Sequence, residues 1–100
     1  MSNPAKWEKY ALYVDGAVIG FKLNRKTNRA VIGGMVRFRR KIRSVLEKYF
    51  YIRAPKVRRY QRSRITYKFK CTKKAMDDGL MRLEDDNYVV EEFRILGRLM

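Results

Sequence analysis

Charge divides this sequence into two unequal parts, and any fold it adopts must accommodate that division. Residues 1–76 hold 22 Lys or Arg and 3 acids, whereas residues 77–100 hold 3 Lys or Arg and 7 acids. The whole chain carries a formal net charge of +15. Self-repulsion of that size opposes compaction unless something negative neutralises it, so nucleic acid, an anionic membrane or an acidic protein is the expected partner. The field is concentrated in residues 37–74, which hold 16 basic side chains and a single acid, Glu47.

A disordered basic tail is a poor description of such a chain. Its hydrophobic share is 46% and its aromatic share 13%, enough apolar matter to offset ordering entropy over part of the length. One hundred residues make one domain at most, with a modest core. Cys71 is the only cysteine and histidine is absent, which excludes an internal disulfide, a papain-like Cys–His pair and the usual zinc ligand sets. No cofactor, metal or small-molecule substrate is expected. No apolar run reaches the length of a membrane span, and residues 1–20 lack the pattern of a secretory signal.

Hydrophobic periodicity organises the chain. Residues 10–14 and 17–23 are rich in aromatic and β-branched side chains and flank Asp15 and Gly16, a pair suited to the φ > 0 geometry of a type I′ hairpin. Residues 29–32 could add a third strand, with Gly33 and Gly34 marking its end. From Met35 onward, Met35, Phe38, Ile42, Val45, Leu46 and Tyr49 recur at helical spacing. That helix should stop before Pro55, which could itself open a second helix. Over 57–74 helix and strand both stay open, with a basic turn or short helix followed by a strand preferred: the spacing of Val57, Tyr60 and Arg64 suits a helix. Ile65, Tyr67, Phe69 and Cys71 then alternate with polar residues as a strand does. Asp86 could cap a final helix carrying Val89, Phe93, Leu96 and Met100 on one stripe, with Glu91 and Glu92 near its positive end.

The expected architecture is therefore α+β in a single small domain: a β-hairpin region (1–34), a basic RNA-contact region (35–76) containing an amphipathic helix and an arginine-rich extension, and an acidic C-terminal region (77–100) completing a strand and helix. The expected contact residues are Arg37, Arg39, Arg40, Lys41 and Arg43 on the helix, then Arg53, Lys56, Arg58, Arg59, Tyr60, Arg62 and Arg64. Guanidinium groups grip phosphates bidentately, and aromatic or guanidinium planes stack on exposed bases. A solvated helix face would intersperse acids, and here only Glu47 is available. Tyr49 and Phe50 read as the end of the apolar face. Asp77, Asp78, Glu84, Asp85 and Asp86 read as caps or counter-charges, because no histidine base accompanies them and their spacing breaks an EF-hand pattern.

The run Phe50, Tyr51, Ile52, Arg53, Ala54, Pro55, Lys56, Val57, Arg58, Arg59, Tyr60, Gln61, Arg62 resembles the aromatic, basic, proline and then Arg/Lys-rich stretch of the small basic ribosomal protein numbered twenty-one in the bacterial small subunit, including its mitochondrial relatives. Residues 36–43 are similar to that family's first basic helix. The N-terminal hairpin and acidic tail have no counterpart there. The resemblance implies a non-catalytic, rRNA-binding role in the ribosome for 37–43 and 53–64, in mitochondrial matrix or cytoplasm; the opposite charge of the C-terminal region makes that region the expected contact with neighbouring ribosomal proteins. A DNA-binding regulator and an accessory subunit of a membrane complex are the alternatives, although a major-groove helix normally offers Asn, Gln, Ser or Thr to base edges and this one offers only Ser44.

Overall fold

The computed structural model describes residues 7–53 and 55–93, apart from the side chains of Arg58 and Phe93. Three strands come first: β1 (Trp7–Val14), β2 (Ala17–Asn24) and β3 (Arg29–Met35). A single 3-10 turn, Val36–Phe38, leads into α1 (Arg39–Phe50). Then follow β4 (Lys56–Gln61), β5 (Arg64–Lys70), α2 (Lys73–Asp85) and β6 (Val89–Phe93). The fold is mixed α+β. Its strands form one antiparallel sheet in the order β4-β5-β3-β2-β1-β6.

Local chemistry explains the turns. Asp15 (φ 49°) and Gly16 (φ 84°) both adopt positive φ between the paired ends Val14 and Ala17, the backbone twist that matches two antiparallel strands. Between β2 and β3, the Asn24 side chain accepts from the amides of Lys26 and Thr27, and Asn28 takes the left-handed conformation at φ 54°.

Both helices cover the same face of the sheet. Tyr10, Leu12, Ile19, Phe21, Ile32, Ile65, Tyr67 and Phe69 point from alternate strand positions into one core with Ile42, Val45, Leu46, Tyr49 and Phe50 of α1 and Met76, Leu80 and Leu83 of α2. The helices approach closely at Gly79, where an added Cβ would lie 2.2 Å from Cε1 of Phe50. Phe50 in turn stacks on Phe21 with centroids 4.9 Å apart. α1 ends at Tyr51, which turns left-handed at φ 58°, and Arg82 donates from Nη2 to the Tyr49 carbonyl at 3.1 Å. A guanidinium there complements the negative end of the helix.

Several expectations are corrected. Met35 ends β3 rather than opening the helix, and the strand runs through Gly33 and Gly34 because both pair with β5. Pro55 precedes a strand, not a helix. Val57 pairs with Tyr67 and Tyr60 with Ile65, with a bulge at Arg58 between them. The extra residue sets Val57 and Tyr60 on one face at a spacing of three, which is how a bulged strand imitates helical periodicity. The C-terminal helix expected after Asp86 is also absent over 89–93. Helix α2 lies earlier, capped by the Thr72 hydroxyl accepting from the Ala75 amide, and Asp86 stands at its C-terminal end. The β-branched pair Val89 and Val90 instead joins the outer edge of β1. Leu96 and Met100 lie outside the described residues.

Candidate nucleic-acid interface

The sheet divides the expected contact residues between its two sides. On the helix side, Arg37, Arg39, Arg40 and Arg43 are exposed and Lys41 is half-buried, donating to the Asp15 carbonyl at 3.2 Å. Tyr60 is exposed on this side, paired with Ile65. Burial pushes the Tyr67 hydroxyl above its ordinary value, while the positive charges of Arg43 and Arg39 act in the opposite direction. The amide of Val36 donates to the Ser63 carbonyl at 2.6 Å and ties the entry of α1 to the tip of the β4–β5 hairpin. That bond brings Arg37 to the same end of the molecule as Arg62 and Arg64, although 25 residues separate Arg37 from Arg62 in sequence. Arg53 is exposed in the link after α1, and the Arg58 side chain lies outside the described set.

Lys56, Arg59 and Arg64 belong to the opposite face, which neither helix covers. Cross-strand register arranges that face in rows. One row reads Glu91, Ala11, Gly20, Gly33, Thr66, Arg59, running from β6 to β4. Two residues along each strand to one side lies the row Lys9, Lys22, Val31, Lys68, Lys56. On the other side lie Val89, Tyr13 and Val18, continued by Met35 and its partners Arg64 and Gln61. The middle of the central row has the smallest side chains, so Gly20, Gly33 and Thr66 form the floor of a trough. A cavity of about 410 Å³ opens along it, walled by Lys9, Lys22, Arg59 and Arg64. The Lys22 ammonium sits 4.8 Å from the centre of the Trp7 ring.

Lys9, Lys22 and Lys68 were not among the residues expected from the sequence, nor were Tyr13, Val18 and Met35. Lys68 and Lys70 alternate with Tyr67 and Phe69, and Lys9 and Lys22 are equidistant from the Asp15–Gly16 turn, so alternation carried the signal. Charge density alone pointed elsewhere, to the helix.

Glu8, Asp77, Asp78 and Asp86 are engaged in pairs of their own. Glu8 pairs with Arg25 at 2.8 Å and Lys73 at 3.0 Å, Asp77 with Lys73 at 3.2 Å and Asp78 with Lys74 at 3.1 Å. Asp86 accepts from the Tyr49 hydroxyl, which together with burial pushes that phenol up to about 12. Among the described residues no ion pair involves a cation of α1, β4 or β5. No three His, Cys, Asp or Glu among them converge on a metal-sized site. Cys71 is buried, and desolvation first, then Asp77, raises its thiol to about 11, the opposite of what a nucleophile needs.

No family model, curated protein or solved structure matches this chain. Both basic surfaces present exposed cations and exposed apolar groups, Tyr60 and Val57 on the helix side and Tyr13, Val18 and Met35 on the open face, and the open face adds a floor of glycine backbone.

Proposed function

We propose that this chain is a structural RNA-binding protein of a ribonucleoprotein particle, a ribosome in mitochondrion or cytoplasm, that braces folded RNA by neutralising phosphates and performs no chemical step. The observation that carries the reading is the mismatch between cations and counter-charges. The described ion pairs occupy Arg25, Lys73 and Lys74 and leave Arg37, Arg39, Arg40, Arg43, Arg59, Arg62 and Arg64 without a carboxylate. A chain that kept these side chains only for solubility would intersperse acids among them. The resemblance of 50–62 to the ribosomal family supports the same reading. The acidic end, with Glu84 and Asp85 exposed on α2 beside the edge strand β6, is the side proposed to meet a neighbouring protein.

The alternatives draw less from the molecule. Lying on lipid through α1 needs a free apolar face, yet Ile42, Val45, Leu46, Tyr49 and Phe50 are buried against the sheet. No helix among the described residues is long and apolar enough to cross a membrane. A groove-reading regulator needs side chains for base edges, and α1 exposes chiefly Arg, Lys and Ser44.

Cosedimentation of a tagged copy from its native cell extract tests the proposal. Comigration with a ribosomal subunit, released by RNase and weakened by high salt, is the expected result. A protein that stays at the top of the gradient untouched by RNase refutes it. The cell fraction that holds the particle decides between mitochondrion and cytoplasm.

A further inference from the structure

We propose that the open face of the sheet is a site for single-stranded RNA, with the strand lying along the Gly20, Gly33, Thr66 trough, its phosphates on the lysine bank and its bases over the apolar bank. This rests on the RNA-binding reading and specifies the form of RNA that one surface takes.

The two banks differ in chemistry. Lys9, Lys22, Lys68 and Lys56 dominate one, with buried Val31 among them, and Val89, Tyr13, Val18 and Met35 dominate the other, which ends in Arg64 and Gln61; Tyr13, Val18 and Met35 are 37%, 56% and 37% exposed. The banks stand four residues apart along the strands, about 13 Å at 3.3 Å per residue. A duplex shows phosphates outward on both strands and keeps its bases stacked inside, so it would leave the apolar bank in contact with water or sugar. A single strand has one charged edge and one edge of unstacked, flat bases, and it matches a surface with one bank of each kind. The glycine floor lets a base approach the backbone, and the only acid on this face among the described residues, Glu91, sits at the far β6 edge and accepts from the Tyr13 hydroxyl at 2.9 Å. At the β4 end Arg59 and Arg64 close the trough on either side, a position for a phosphate at the turn of the strand.

The glycines separate shape from charge. An added Cβ at Gly20 finds its nearest neighbour, the Gly33 carbonyl, at 3.9 Å, an ordinary contact, so the backbone there accepts a side chain and Gly20→Val carries one into the open trough. It fills the floor and removes no charge. The experiment measures fluorescence anisotropy of a labelled oligouridylate, which has little structure of its own, and of a blunt RNA hairpin of equal charge, for the native chain, Gly20→Val and Val18→Asp. Thermal unfolding is followed in parallel.

The native chain should bind both RNAs. Gly20→Val should weaken oligouridylate binding tenfold or more with the melting temperature unchanged or higher, and should leave the hairpin within twofold. Val18→Asp, an exposed change on the apolar bank, should do the same and keeps the test alive if the valine variant misfolds. The emission of Trp7, the one tryptophan, should shift with oligouridylate as Lys22 leaves its ring for a phosphate. Oligouridylate affinity within twofold of native in both variants overturns the proposal, as does displacement by polyglutamate as effective as by unlabelled strand. Hairpin binding without oligouridylate binding overturns it and leaves the RNA reading standing. Binding of neither RNA refutes both.

Discussion

The contact between Gly79 and Phe50 sets two effects of known sign against each other. Replacing an interior helical glycine by alanine ordinarily stabilises by about 1 kcal/mol, since glycine loses more backbone freedom on folding. Here the new methyl would lie 2.2 Å from Cε1 and 2.4 Å from Cδ1 of Phe50, well inside the 3.5–4.0 Å at which carbon atoms attract. The ring must withdraw by more than 1 Å. It has little room, being 6% exposed, stacked on Phe21 at 4.9 Å, with Phe21 itself edge-on to Phe69 at 5.8 Å. Overpacking of this kind costs about 1–3 kcal/mol and sometimes more, and disturbing the aromatic pair adds about 0.5–1.5 kcal/mol. Sterics should outweigh propensity, leaving Gly79→Ala destabilised by about 1–3 kcal/mol, or roughly 5–15 °C in melting temperature for a domain of this size.

Urea unfolding followed by circular dichroism measures the change, with an unaltered m-value showing that the denatured state is not the cause. The double variant Gly79→Ala/Phe50→Leu isolates it. A smaller side chain at 50 gives the methyl its space, so the double variant should be at least about 1 kcal/mol more stable than the two single changes predict together. A Gly79→Ala protein as stable as the native chain, or strict additivity in the double variant, would refute the claim that this contact sets the distance between α1 and α2.

Other consequences are read more directly. At pH 9 an unfolded thiol at its ordinary value of 9.0 is half ionised whereas Cys71 near 11 is about 1% ionised, so native labelling by iodoacetamide should be about 50-fold slower or more than labelling in urea; equal rates would show the thiol to be accessible. The raised Cys71 thiol and Tyr49 phenol both favour the protonated form in the fold, so their contribution is intact below about pH 9 and is lost as pH rises towards 11–12, which a series of urea midpoints from pH 8 to 11 should show as a fall. Tyr49→Phe removes the hydroxyl's bond to Asp86 and should cost about 1–2 kcal/mol in urea unfolding, with a neutral result assigning the pair no role in joining α1 to the end of α2. Arg62 occupies positive φ at 55° on an exposed hairpin tip, so Arg62→Gly should hold stability or raise it by up to about 1 kcal/mol while lowering the salt slope of hairpin-RNA binding by roughly one contact; a destabilised variant would mean that the arginine side chain anchors the turn.

Elements governed by local rules were legible before the structure. The class α+β followed from alternation in 10–23 and 65–71 and from the helical recurrence of Ile42, Val45, Leu46 and Tyr49, and Asp15–Gly16 carries its own backbone requirement. Where the reading failed, a non-local pairing was decisive. Gly33 and Gly34 look like punctuation, yet they pair with Thr66 and Ile65 of β5, far along the chain. Val89 and Val90 suit a helix stripe as well as a strand until the open edge of β1 is known. Thr72 followed by Met76, Leu80 and Leu83 did carry a cap and a helical stripe, and the acids between them drew attention to charge instead.

The same distinction separates the visible part of the site from the hidden part. Clustered arginines at 37–43 and 58–64 are conspicuous because charge density is a one-dimensional property of sequence. The trough is a two-dimensional object: Gly20, Gly33 and Thr66 come from three strands and share a row only through register. Its existence also depends on the helices. Because α1 and α2 follow β3 and β5 onto one face, that face takes the core and the other keeps alternate positions that need not be apolar. Lysines there cost the fold little, since their stems cover neighbouring apolar groups and their ammonium groups remain in water. Exposed Tyr13, Val18 and Met35 have no such explanation in the isolated chain, and an occupant that shields them while meeting the lysines would account for both halves of the surface at once.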